Sequence, residues 1–244
     1  GIVIERESKN PHLITGDIEV DVKELTIINT AETPPIMIND QTDALEETRL
    51  KYRYLDLRRP LMQNFLIKRH EITQAIRQVL VEEGFLEIET PILGKSTPEG
   101  ARDFLVPSRL YPGSFYALPQ SPQIYKQLFM VAGLEKYFQI ARCFRDEDLR
   151  ADRQLEFTQI DIEASFVEME DIQDVIEKIM VRAFKKVLDV DIVTPFIKMS
   201  YHDAIDHYGT DKPDMRYDLL LKTYTDVFKD ATVPLFEGRS SIRG

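Results

Sequence analysis

Tryptophan is missing from the chain and cysteine occurs once, as Cys143. A single thiol excludes an internal disulfide and leaves no cysteine cluster for a structural zinc, so Cys143 reads as a small core residue. No apolar run approaches the roughly 20 residues of a membrane-crossing helix, and Gly1 to Asn10 is charged rather than signal-like. Both features point to a folded cytoplasmic chain with no membrane partner. Basic residues are in deficit, 31 Lys and Arg against 42 Asp and Glu, a net charge of -11. That balance speaks against non-specific attachment to nucleic acid, whose phosphates attract basic surfaces. His202 and His207 stand five apart, off the i, i+4 spacing of a helical metal pair, so no metal ligand is assigned.

What is present suits a core of substantial size: 244 residues, 43% of them apolar, enough for one large domain or two modest ones. Ile18, Val20 and Val22 alternate with Asp17, Glu19 and Asp21 as in a half-buried strand, which Leu25 to Ile28 continues or follows. Thr33, Pro34 and Pro35 and the acidic stretch after Asn39 read as a connection between domains. The string RLKYRYLDLRR, Arg49 to Arg59, is locally basic, and a solvated face is its simplest reading. A helix should start at Pro60, with Leu61, Phe65, Ile72, Ile76 and Val79 at helical spacing and Gly84 as its stop. Phe85 to Glu89 reads as a short strand ended by Pro91.

In SPQIYKQLFMVAG, Ser121 can cap a helix, Pro122 suits its first position and Gly133 its end. Ile124, Leu128 and Val131 fall on one face of it; Gln123, Lys126 and Gln127 fall on the other. YFQIARCFRDE and LEFTQIDIEASF read as two antiparallel strands joined by a polar loop. Period two places Phe138, Ile140 and Phe144, with Ile160 and Ile162, on one face. Gln139, Cys143 and Arg145, with Phe157, Gln159, Asp161 and Glu163, share the other. Arginine, glutamine, two acids and one ring on one face suit a flat anionic ligand better than plain solvation does. A later helix should bury Ile172, Val175, Ile176, Ile179 and Ala183.

The run FRDEDLRADRQLEFTQID resembles the second signature motif of class II aminoacyl-tRNA synthetases, and the Pro60 helix with GFLEIETPIL resembles their first. TGDIEV, TPP, RLKYRYLDLRRP, STPEGARDF, LPQSPQIYKQLFM and YGTDKPDMR resemble the bacterial aspartyl branch in particular. The resemblance covers nearly all of residues 1 to 238. Leu155 departs from it, standing where the family commonly has proline.

The resemblance implies an α+β fold: a class II synthetase antiparallel sheet flanked by helices, preceded by the tail of an OB-type β-barrel. It implies an anticodon-binding barrel remnant at 1–35, a hinge at 36–50, a catalytic domain at 51–215 and the start of a bacterial insertion domain at 216–244. Residues 239–244 look unlike the family and read as an appended tail. The glycine-rich third motif is missing, so the chain reads as a fragment.

The activity implied is ATP-dependent activation of L-aspartate to aspartyl-adenylate and transfer to the 3′ end of aspartate tRNA. ATP with Mg2+ would be the cofactor, and a homodimer would form through the first motif. Arg145 is the implied catalytic group. Glu99, Gln123 and Lys126 join it around aspartate; Asp146, Glu147, Gln154 and Phe157 join it around ATP. Arg150 and Arg153 would touch the tRNA acceptor end. Asp161 and Glu163 line the same face. Two alternatives stay open, a non-catalytic dimerising or tRNA-binding module and an adenylating relative resembling asparagine synthetase. Whether one or two tRNAs would be charged is not written in these residues.

Overall fold

The computed structural model describes residues 1–97 and 99–244; Pro98, within STPEGARDF, lies outside the described residues. Two compact units, residues 1–68 and 69–244, make up the chain. Among the described residues no helix is long and apolar enough to cross a membrane.

In the first unit β1 (Ile2–Glu5) pairs antiparallel with β2 (Ile18–Asp21). β2 follows the apolar alternation, whereas nothing in the sequence pattern announced β1, and Leu25 to Ile28 forms no strand. Ile18 and Val20 are 48% and 59% exposed rather than half-buried, because a lone hairpin has no layer against which to bury a face.

The basic string forms α1 (Glu46–Lys51) and α2 (Arg53–Asp56), and it is not simply a solvated face. The Asp56 carboxylate is fully buried and accepts hydrogen bonds from Arg53 Nη1 and Arg59 Nη1, each 2.7 Å long. Asp40 joins from the connector: it accepts from the Leu61 backbone N–H at 3.1 Å and lies 3.6 Å from Arg59 Nε. Leu61 is in the first turn of α3 (Pro60–Glu82), where backbone N–H groups have no partner within the helix and the helix dipole favours negative charge. Asp40 thus fastens the connector to the start of α3.

The later half of α3 belongs to the second unit and buries Ala75, Ile76, Val79 and Leu80. Its earlier apolar positions do not follow, Leu61 being 42% and Phe65 54% exposed. A three-stranded sheet runs β3 (Leu86–Glu87), β6 (Lys136–Phe144), β7 (Glu156–Ala164), with β3 parallel and β7 antiparallel to β6. β4 (Leu105–Pro107) and β5 (Phe115–Ala117) form a separate hairpin, followed by α4 (Gln123–Val131). One face of the main sheet carries Phe138 and Ile162 into the core, against Ile76, Val79, Leu80 and Phe85 and against Val175 and Ile179 of α5 (Met169–Leu188). Burying such side chains stabilises by about 1.5–3 kcal/mol each.

α5 starts in a reciprocal cap between Glu168 and Asp171, and the ion pairs Lys178–Glu83 and Arg182–Glu82 tie it to the end of α3. Ile176, read as inward, is 40% exposed. α6 (Tyr201–Tyr208) is capped by Ser200, whose Oγ accepts from Asp203 N.

Burial alone would raise the Asp56 pKa, but the Arg59 hydrogen bond and the charges of Arg59, Arg49 and Arg53 outweigh it and hold the carboxyl below its ordinary value. Stability from such a group is complete above the unfolded pKa of about 3.9 and is lost as pH falls through the lower folded value. Asp56→Asn should therefore lower the thermal midpoint at neutral pH, and the gap to the parent should narrow on acidification below the ordinary carboxylate range. Melting curves across that range check this, and a pH-independent gap would contradict it.

Candidate functional site

The register of β6 and β7 places Tyr137 opposite Glu163, Gln139 opposite Asp161, Ala141 opposite Gln159 and Cys143 opposite Phe157. These residues form the face turned away from the hydrophobic core. α4 lies on it with Lys126 inward, only 9% exposed. Lys126 Nζ donates to Asp161 Oδ1 at 3.0 Å and sits 3.2 Å from Glu163 Oε2. Gln159 Nε2 donates to the same Asp161 oxygen at 2.8 Å. Desolvation alone would lower the Lys126 pKa, but Asp161 and Glu163 outweigh it and hold the ammonium protonated beyond its ordinary range. A raised lysine pKa contributes stability below the unfolded value and loses it only as pH climbs through the folded one, so this pair is intact at neutral pH.

The orientation of α4 reverses what a simple amphipathic reading would give. Ile124, Leu128 and Val131 are 48%, 55% and 86% exposed, while Lys126 is buried and Gln123 half-buried; Gln127 remains exposed. Two β7 carboxylates compensate the buried ammonium, which would otherwise carry a large desolvation cost. Ser121 does not cap α4; its hydroxyl donates to Glu99 Oε2 at 2.7 Å instead.

Cys143 is fully buried beside this network. Burial and the Asp161 charge push its thiol up to about 11, with Glu99 adding to the rise and Arg145 opposing it. The thiol is therefore protonated at neutral pH and a poor nucleophile. Tyr137 and Thr90 hydroxyls both donate to Gln139 Oε1 at 2.9 Å, a polar layer that periodicity alone did not reveal.

Arg145 continues the ladder by one bond, its N–H donating to Leu155 O at 2.8 Å. A proline at that position would offer the same carbonyl, so Leu155 leaves this bond intact. The Arg145 guanidinium carbon lies 5.1 Å from the centroid of the Phe157 ring, within cation–π range. Beyond it the loop turns back between Arg150 and Arg153, which form an isolated bridge. A cleft of about 400 Å³ is lined by Arg102, Asp146, Glu147, Asp148, Arg150 and Arg153. Asp146 is held there by its backbone bridge to Arg102.

Some named residues stand apart. Glu99, held by Ser121 and by Thr97 Oγ1 at 3.0 Å, lines a second cleft of about 270 Å³ with Lys95, Asp103 and Tyr125. Gln123 is half-buried, and Gln154 is exposed at the far end of the loop. The arrangement offers a fixed cation at the floor, a guanidinium on an aromatic ring and an arginine-rich mouth, a set suited to an acidic ligand carrying phosphate.

The chain is 57% identical to an aspartate–tRNA(Asp/Asn) ligase of Caldanaerobacter subterraneus subsp. tengcongensis, with 100% of this chain and 42% of that protein covered. It is 60% identical to the ligase of the same name from Geobacillus sp. strain WCH70, covering 98% and 40%. It thus spans about two-fifths of the length of these relatives. Among solved structures, asparaginyl-tRNA synthetase from Pyrococcus horikoshii complexed with asparaginyl-adenylate superposes with a TM-score of 0.61 at 29% identity, covering 72% of this chain and 40% of that one. The family model for class II tRNA synthetases (D, K and N) matches residues 45–236, and by that match the chain belongs to the class II tRNA synthetases of the D, K and N group.

Proposed function

We propose that this chain carries the aspartate- and ATP-binding floor of an aspartate–tRNA ligase, a protein that activates L-aspartate with ATP and transfers it to the 3′ end of aspartate tRNA. The observation that carries the reading is Lys126, buried on the same sheet face as Arg145 and Phe157 and gripped by Asp161 and Glu163. An ammonium has three donors; two contacts leave one for the side-chain carboxylate of aspartate. Asp161 Oδ2 is buried with no donor among the described residues, and the α-ammonium of an amino acid would complete it alongside Glu99. Gln123, one turn before Lys126, would line the same amino-acid site.

Arg145 is the group assigned to the reacting centre. Fixed by the ladder bond and the Phe157 ring, its guanidinium can bridge the substrate carboxylate and the α-phosphate and stabilise the charge that builds as the carboxylate attacks phosphorus. Phe157 would stack on adenine, Glu147 would accept from the adenine amino group, and Asp146 and Gln154 would border the nucleotide. ATP is taken with Mg2+, which neutralises phosphate charge; no residue of this chain is assigned to the ion. Arg150 and Arg153, at the cleft mouth, would meet the phosphates of the tRNA acceptor end. The exposed Leu61, Phe65, Leu66 and Ile67 of α3 support a homodimer formed through that helix.

Three measurements test the reading. In calorimetric titration with a non-hydrolysable aspartyl-adenylate analogue, Arg145→Ala should weaken binding by about tenfold or more, the worth of a charged hydrogen bond; equal binding would remove Arg145 from the site. The parent should prefer the aspartyl over the asparaginyl analogue, and Lys126→Met should abolish that preference, since a fixed ammonium discriminates a carboxylate from an amide. A preference that survives would assign selection elsewhere. Sedimentation should find a dimer that Phe65→Asp dissociates, and a parent that is monomeric at micromolar concentration would count against assembly through α3.

A further inference from the structure

Gln120 has no role in the chemistry above, yet it is 2% exposed and among the most completely buried large side chains of the chain. Its amide treats Ala101 as a strand neighbour would: Oε1 accepts from Ala101 N at 3.1 Å and Nε2 donates to Ala101 O at 2.9 Å. The second Nε2 hydrogen goes to Asp103 Oδ1, and Asp103 also accepts from Ser96 Oγ. Burial alone would raise the Asp103 pKa, but the Ser96 and Gln120 hydrogen bonds outweigh it and hold the carboxyl ionised. On its other side, Arg102 pairs through its backbone with Asp146. Residues 101–103 therefore lie between a side-chain amide and the start of the arginine loop, fixed from both directions. The tip of this loop carries Glu99, whose carboxylate is held by Ser121, the residue that follows Gln120. Two positions later α4 begins, and with it the helix that presents Lys126.

We infer that Gln120 is a positioning residue for the amino-acid half of the ligand: its buried amide sets the Glu99 loop in register with α4, and so fixes the distance between the Glu99 carboxylate and the Lys126 ammonium. The inference rests on the aspartyl-adenylate reading of the site. A buried amide with all its polar atoms engaged leaves backbone groups stranded when it is removed, and the loop that it holds then has to be ordered by the ligand itself.

The test compares two probes by calorimetry, an aspartyl-sulfamoyl adenosine and the adenosine sulfamate that lacks the aspartyl group. Gln120→Met, similar in length but without hydrogen-bonding groups, should lower affinity for the aspartyl probe by about tenfold, one immobilised loop contact, and leave affinity for adenosine sulfamate unchanged. Should that variant fail to fold, Gln120→Glu keeps the length and an acceptor for Ala101 N, and the same selective loss is expected of it. Equal loss on both probes, or no loss on either, would overturn the assignment of Gln120 while leaving the site reading intact. A parent chain that binds neither probe would overturn the site reading and this inference with it.

Discussion

The antiparallel register from Lys136 opposite Ala164 to Phe144 opposite Glu156 decides which side chains can meet. Because side chains alternate along a strand, a slip of β7 by one residue would carry Asp161 and Glu163 to the hydrophobic side and Ile162 to the polar one. Both faces resist that slip. One is sealed by α3 and α5 through Ile76, Leu80, Val175 and Ile179. The other is locked by Lys126, which binds two β7 carboxylates two residues apart on the same face. Core burial and the ion pair thus specify the same alignment from opposite sides.

The same arrangement shows where a chain of charge -11 keeps its cations close to acids. Lys126 is held on the polar sheet face by Asp161, Arg145 lies over the Phe157 ring, and Arg102, Arg150 and Arg153 line a cleft with Asp146, Glu147 and Asp148. Two acids grip Lys126, and a cation already fixed costs less reorganisation when an anion arrives. A second device, the buried Asp56 between Arg53 and Arg59 with Asp40 on the helix start, applies the same logic to backbone rather than ligand.

Much of this was legible in the residues. Period two in YFQIARCF and LEFTQIDIEA sorted the two faces correctly, and Gly84 and Gly133, each with positive φ, follow the ends of α3 and α4 as read. Reading failed where a partner far along the chain overrides local pattern. Lys126 on a polar helix face looks solvent-bound until Asp161, 35 residues on, is known to neutralise it. Ser121 before Pro122 looks like a cap until Glu99 is seen to claim its hydroxyl. Arg53, Asp56 and Arg59 look like surface charge, and only folding shows the carboxylate to be buried. Apolar spacing in α3 and α5 found the helices but overstated the buried face, since Leu61, Phe65 and Ile176 are 42%, 54% and 40% exposed. Gln120, one more polar residue in a loop, gave no signal at all.

Cys143 lies in the middle of these elements, wholly enclosed and the sole thiol of the chain. A sulfhydryl reagent added to the protein has one possible target, and that target becomes reachable only when the sheet floor is uncovered. Its rate of alkylation is therefore a built-in clock for how often that floor opens, readable without any label being introduced and without any substrate being turned over.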